Sequence, residues 1–166
     1  MKKKKIYIAG FDVFLRNAVT DLESKRNLCM EYGYEGLIPF DANIDFSKED
    51  EIIRKEIYTA NIQMIKDTDI IIANMNNFRH NEPDSGTVFE LGFGVALGKE
   101  VYIYSSDDRT VVDKTKECDL GVTYEDGLYY DQNNMLIEGF DAKFNIMINE
   151  STRFIHGDFE SVLKQL

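Results

Sequence analysis

The 166-residue chain is poor in the residues that several common chemistries need: it has two cysteines, two histidines and no tryptophan. Cys29 and Cys118 stand far apart, with no CxxC or finger-like spacing, so neither a zinc site nor a disulfide framework is expected. His80 and His156 alone give poor support to an imidazole-built metal centre or to Ser-His-Asp chemistry. Positive charge is also scarce. Nineteen basic against 30 acidic residues give a formal charge of -11, which argues against a nucleic-acid or anionic-membrane surface because phosphate binding needs clustered cations. A small neutral substrate is compatible with it. No apolar run reaches the roughly 20 residues that span a bilayer. The apolar stretch "IYIAG" behind the "MKKKK" start is too short for a signal peptide and runs into a charged segment. The expectation is a soluble cytoplasmic protein, one domain over residues 1–166, whose 43% hydrophobic content suffices for an ordinary core.

What is present alternates. "KKIYIAG" (Lys4 to Gly10) reads as a buried strand. "FLRNAVTDLESKRNLCMEYGY" has helical apolar spacing through Val19, Leu22 and Leu28, and Gly33 stops it. "EGLIPF" reads as a short strand, and its aromatic, like most of the methionines, as core. "KEDEIIRKEIYTANIQMIKDTD" is an amphipathic helix with Ile53, Ile57, Ala60 and Met64 on one stripe. "IIIAN" (Ile70 to Asn74) has the continuous apolar character of a central parallel strand. A polar loop, "MNNFRHNEPD", leads into a glycine-rich helix from about Ser85, and "EVYIYSS" forms another strand. Past Ser106 the pattern turns polar and irregular. "FNIMI" reads as a last strand or an apolar turn, and "DFESVLKQL" as a closing helix capped by Asp158. No repeat, low-complexity tract or linker interrupts the chain. Strands alternating with helices indicate an α/β doubly wound sheet.

In such a sheet, ligands sit beyond the carboxyl ends of the strands. The loop "AGFDVF", which carries Gly10 and Phe14, converges there with the loop after "IIIAN" and the start of the glycine-rich helix. In that helix Gly86, Glu90, Gly94 and Gly98 are four apart and would form one ridge. Each interior glycine costs roughly 1 kcal/mol against alanine, so the ridge has cleared space either for a ligand beside Glu90 or for close helix–sheet packing beside an exposed glutamate. Asp84 suits the N-cap. The helix's N-terminal half favours an ionised Glu90, and a sheltered carboxylate can act as a nucleophile or stabilise a cation. Asn61 either points into the cleft or lies exposed, and Tyr7 on the first strand reads first as core. "GFGVALG" has G-x-G-x-x-x-G spacing late in a helix, which is not the dinucleotide fingerprint, and there is no P-loop.

The residues assembled in this way resemble the nucleoside 2-deoxyribosyltransferase family. The resemblance lies in "KIYIAGFDVF", in "ANIQMIKDTDIIIANMNNFRHNEPDSGTVFELGFGVALGKEVYIY" with its D-x-G-T-x-x-E-x-G pattern, and in "EGFDAKFNIMI". It implies a flavodoxin-like, mostly parallel doubly wound sheet and transfer of a 2-deoxyribosyl group between nucleobases, with no metal and no organic cofactor. By the same resemblance Glu90 is the nucleophile, Asp84 assists proton transfer at the base, and Tyr7 orients Glu90. Asn61 faces the base, Gly10 and Phe14 belong to the substrate-binding loop, and Asn145 reaches the sugar 5'-hydroxyl of a neighbouring subunit. That last role implies a homo-oligomer with shared active sites. The chain departs from the pattern at Phe11, where proline is expected, and at "DAK" (Asp141 to Lys143), where a more apolar run is expected.

Two other functions compete. A hydrolase of deoxynucleoside 5'-monophosphates would need a serine- and arginine-rich phosphate loop after the first strand. This chain has "GFDVFLRN" there, with Asp12 and Arg16, a poor phosphate cradle. A non-catalytic nucleotide-binding module would not need an ionised Glu90 beside a sugar.

Overall fold

A computed structural model describes residues 3–166, so Met1 and Lys2 of the "MKKKK" start lie outside the described residues. In chain order the elements begin β1 (Lys5–Gly10), α1 (Ala18–Glu31), β2 (Glu35–Leu37), α2 (Asp50–Asp67), β3 (Ile70–Asn74), α3 (Ser85–Ala96) and β4 (Glu100–Ser105). They continue with α4 (Val111–Cys118), β5 (Thr123–Glu125), β6 (Leu128–Tyr130), β7 (Leu136–Ile137), α5 (Ile146–Ser151), β8 (Arg153–His156) and α6 (Phe159–Leu163).

β1 and β3 are continuous apolar runs because both of their faces are covered. They lie parallel at the centre, with Tyr7 opposite Ile71 and Gly10 opposite Asn74. The five-stranded sheet has the order β2-β1-β3-β4-β8, every neighbouring pair parallel. This is the flavodoxin-like doubly wound order, as the sequence led us to expect. On one face, Ile6, Ile8, Ile70 and Ile72 pack with Leu22 and Cys29 of α1 and with Phe159, Val162 and Leu163 of α6. On the other, Tyr7, Ala9, Ile71, Ala73 and Ile103 pack with Ile65 of α2, Leu91 of α3 and Phe144. No helix among the described residues is long and apolar enough to cross a membrane.

Several local expectations are corrected. Phe11–Phe14 is a 3-10 helix and α1 begins only at Ala18, so Val19 points outward at 61% exposure while Ala18, Leu22 and Cys29 face the sheet. Gly33 does end the helix region, with φ +87. β2 is only three residues long, and Phe40 sits in the 3-10 turn after it, exposed rather than core. Met30, Met135 and Met147 are exposed as well, whereas Met75 is buried. In α2 the anticipated stripe is only partly covered: Ile57 is exposed and the fully buried residue is Ile65. Residues 106–137 are not irregular, since α4 and a small antiparallel sheet of order β5-β6-β7 occupy them. "FNIMI" is neither a strand nor a turn. It enters α5 with Asn145 as N-cap, its side-chain oxygen accepting from Met147 N, and the last strand is β8.

The glycine ridge divides into three functions. Gly98 lies beyond the helix at φ +70, a left-handed stop. Gly94 is buried against the sheet, where an added Cβ would collide with the Ile71 side chain. Gly86, one turn before Glu90, has free space except towards Asp84. Gly94 thus serves helix–sheet packing, not a ligand. Gly94→Ala gains about 1 kcal/mol of helix propensity but overpacks the contact with Ile71, which typically costs about 1–3 kcal/mol. We expect a net loss of denaturant stability, partly restored by adding Ile71→Val. A stabilised Gly94→Ala protein would contradict this packing.

Candidate active site

The carboxyl ends of β1 and β3 are tied together by side chains. Asp12 is buried, its Oδ1 accepting from Asn74 Nδ2 at 2.9 Å and pairing with Lys25 Nζ at 3.0 Å. Gly10 has φ +139, and an added Cβ would fall within 2.8 Å of both Asn74 and Asp12. Glycine is therefore required where the loop turns over Asn74. Asn74 in turn accepts from Asn76, whose Oδ1 accepts from Ser105 and Ser106 beyond β4. Asp12 is thus spent inside the fold, and the first loop presents no cation cluster: Arg16 is exposed and absent from the cavity wall.

Above this frame lies a cavity of about 600 Å3. Its wall includes Gly10, Phe14, Asn61, Asp84 and Glu90 from the sequence-derived set, together with Gly86 and Thr87. Tyr7 is fully buried beneath it and donates from its hydroxyl to Glu90 Oε1 at 2.7 Å. Asn61 Nδ2 donates to the same oxygen at 3.3 Å, leaving Asn61 Oδ1 buried and without a partner. Asp84 is the N-cap of α3, its Oδ2 accepting from Thr87 N at 2.8 Å and Thr87 Oγ1 at 2.9 Å. Among the described residues no group of three or more His, Cys, Asp or Glu is arranged to hold a metal ion.

Six cavity residues come from one segment that sequence reasoning gave no part in the site: Pro39, Phe40, Ala42, Asn43, Ile44 and Phe46, between β2 and α2. The available signal was its position at the carboxyl end of β2, together with two phenylalanines in a polar connection. Phe14 stacks on Phe78 at 5.3 Å, Phe11 stacks on it at 5.4 Å, and Arg79 lies over the Phe78 ring at 4.6 Å. The β3–α3 loop therefore braces the aromatic wall. Asn145 is not part of this cavity. It lines a second one of about 660 Å3 on the far side of the His80–Pro83 loop.

Electrostatics correct one expectation. Burial pushes the Glu90 carboxyl up from 4.5 to about 7; the bonds from Tyr7 and Asn61 oppose this, and the charge of Asp84 adds to it. A helix N-terminus offers about 0.3–1 kcal/mol to an anion, whereas this rise corresponds to roughly 3 kcal/mol, so desolvation wins and Glu90 titrates near neutrality. Burial, then the neighbouring Glu90, holds the Tyr7 phenol well above its ordinary value, so it remains a donor.

The sequence profile of the nucleoside 2-deoxyribosyltransferase family matches residues 6–147. A 2-desoxiribosyltransferase from Leishmania mexicana superposes with a TM-score of 0.73 at 31% identity, covering 97% of this chain and 95% of that one. The chain belongs to the nucleoside 2-deoxyribosyltransferase family. A 2-deoxyribosyltransferase from Bacillus psychrosaccharolyticus shares the fold at TM-score 0.53 and 22% identity, over 68% of this chain and 80% of that one. So does a conserved protein of Enterococcus faecalis V583, at TM-score 0.59 and 20% identity, over 98% and 96% of the two chains. An uncharacterized protein of Schizosaccharomyces pombe is 26% identical over 114 residues, 67% of this chain; the chain spans about half of that curated relative, 54% of its length.

The titration of Glu90 bears on stability. Its folded value lies above the unfolded 4.5, so the native state holds a proton that the unfolded chain releases between pH 4.5 and 7, and stability falls as pH rises through that window. Glu90→Gln keeps an acceptor for Tyr7 and Asn61 without the charge. It should stabilise the fold by up to about 3 kcal/mol above pH 7 and by almost nothing near pH 4. Denaturant curves at both pH values check this, and equal shifts at the two would refute the burial argument.

Proposed function

We propose that the protein transfers the 2-deoxyribosyl group of a 2'-deoxynucleoside to another nucleobase, with Glu90 as nucleophile and retention at C1'. The observation that carries the reading is the Glu90 carboxylate at the cavity wall, with both of its hydrogen bonds on Oε1. Oε2 is the oxygen left to approach C1'.

In the first half-reaction Glu90 Oε2 bonds to C1' as the C1'–N bond breaks through an oxocarbenium-like state. The bonding pair leaves with the base, which takes a proton from the open side of Asp84 or from water. In the second, a nitrogen of the incoming base bonds to C1', the C1'–O bond breaks, and its pair returns to Glu90. The incoming base surrenders its proton along the same route. Two displacements at one carbon restore the configuration. Tyr7 and Asn61 favour the carboxylate as acceptor, and Phe14, with its braced ring, offers a face for the base. Gly86 leaves the wall beside Glu90 flat, which suits a sugar lacking a 2'-hydroxyl.

Assembly is part of the proposal. Asn145 lies outside the Glu90 cavity, and its neighbours Ile146 and Met147 are exposed, while Phe144 is core. A second copy of the chain, docking through that exposed face, is proposed to bring Asn145 to the 5'-hydroxyl in a homo-oligomer with shared sites.

Glu90→Ala should fold normally and lose transfer activity by several orders of magnitude, on the order of what removing a covalent nucleophile costs. Mass spectrometry of the wild type with a slow 2-fluoro-deoxynucleoside should place the adduct on Glu90, and ribonucleosides should be poor donors. An adduct elsewhere, or release of free sugar without base exchange, would redirect the reading to another residue or to a hydrolase. Because the nucleophile is the carboxylate, kcat/KM should rise with pH through about 7. Tyr7→Phe removes a bond that favours the ionised form, so the rise should move to higher pH. An unmoved profile would separate Glu90 from that limb.

A further inference from the structure

The first loop turns its rings outward and its charge inward. Phe14 is exposed at the cavity wall, and Phe11 and Phe14 both stack on Phe78 of the β3–α3 loop. Between them in sequence, Asp12 is the buried residue of the 3-10 turn. Aromatic pairs tolerate centroid separations of about 4.5–7 Å, so the stack by itself leaves slack in where its rings stand over the cavity. Hydrogen bonds, confined to about 2.7–3.2 Å, can remove that slack.

A chain of such bonds crosses three strand ends in one direction. The Ser106 N–H donates to Asn76 Oδ1 at 2.9 Å, Asn76 Nδ2 to Asn74 Oδ1 at 2.7 Å, and Asn74 Nδ2 to Asp12 Oδ1 at 2.9 Å. A backbone N–H can only donate, so it fixes the Asn76 amide, and that amide fixes Asn74. The chain must then end on an acceptor, which a carboxylate supplies. Asn76 lies two residues before Phe78, and Asp12 two before Phe14. One line of bonds therefore sets both halves of the aromatic wall.

The acceptor end is costly unless it is paired. The Asp12 side chain is 6% exposed and its Oδ2 is buried without a partner, and a buried charge needs an opposite one. Among the described residues the cation paired with it is Lys25 of α1, Nζ to Oδ1 at 3.0 Å. Lys25 also meets Asp21 at 2.7 Å, but that side chain is 31% exposed and depends on the pair less. Lys25 is absent from the Glu90 cavity wall.

We propose that Lys25 is a positioning residue for the nucleobase: by neutralising Asp12 it holds the end of the bonded chain, and through it the Phe14–Phe78 stack against which a base lies. The inference rests on the base-exchange reading above and goes beyond it. It gives a part in the reaction to a side chain of α1, on the opposite face of the sheet from Glu90.

The test is the kinetics of base exchange with deoxyinosine or thymidine as donor and adenine as acceptor. Rates are expressed per site labelled by the slow 2-fluoro-deoxynucleoside, so that unfolded protein drops out. Lys25→Met, which keeps the stem and removes the charge, should raise KM for adenine about tenfold, the scale of one base–aromatic contact, with kcat within about twofold. Lys25→Arg should stay near the wild type. Phe14→Ala should raise KM by a similar factor, and the Lys25→Met/Phe14→Ala protein should be no worse than either single variant, because both remove the same contact. Asp12→Asn added to Lys25→Met removes the uncompensated charge, keeps an acceptor for Asn74 and should recover most of the KM. Asp12→Ala leaves no buried charge and should reproduce the KM rise even if Lys25→Met does not fold.

A Lys25→Met protein that loses labelled sites while its KM stays unchanged would make Lys25 a purely structural residue. Additive effects with Phe14→Ala would break the link to the stack. Either result overturns the assignment. Failure of the underlying reading looks different: the wild type would exchange no base and take no label on Glu90. The positioning claim is then decided by calorimetric binding of adenine. The same tenfold weakening in Lys25→Met supports it, and equal affinities, or no binding by the wild type, overturn it.

Discussion

The site depends on how closely α3 lies against the sheet. Gly94 rests on Ile71, and one turn earlier Glu90 meets Tyr7. Tyr7 and Ile71 are register partners on adjacent strands. A side chain at position 94 would lift the helix, and a 2.7 Å bond between a strand and a helix cannot follow such a shift. The packing glycine and the carboxylate are therefore one device. The burial that raises the Glu90 pKa follows from the same approach, as does the orientation that leaves one carboxylate oxygen towards the cavity.

Much of this was legible in the sequence, for identifiable reasons. "KIYIAG" and "IIIAN" are apolar on both faces, which only a covered parallel strand explains, and they became β1 and β3. Asp84, just ahead of the glycine-rich run, suited an N-cap, and it is the N-cap. The gathering of Gly10, Phe14, Asn61, Asp84 and Glu90 around one cavity follows from the doubly wound order, because three loops leave the same edge of the sheet.

What stayed hidden was non-local. Periodicity placed four glycines on one ridge but could not tell which faced a strand and which a cavity. Helix-end electrostatics suggested an ionised Glu90, while the larger desolvation effect exists only in the packed fold, where even the bond from Tyr7, 83 positions away, only partly opposes it. Phe40 read as core by composition, and its exposure arises because β2 ends after three residues and releases the chain across the cavity mouth. In residues 106–137 the strands are two or three residues long, too short for any alternation to register.

The pairing of β4 with β8 closes the whole segment 106–152 into one loop. Loop-closure entropy grows only slowly with length, about 0.6 kcal/mol per doubling, so the native state tolerates the excursion. Assembly is affected more. β1, β2, β3 and β4 can associate from the first part of the chain, but the outer edge of β4 keeps unpaired N–H and C=O groups until β8 arrives from far along the sequence. The half-made sheet thus carries one exposed, apolar parallel edge during folding, beside the strand whose neighbour already holds Asn74.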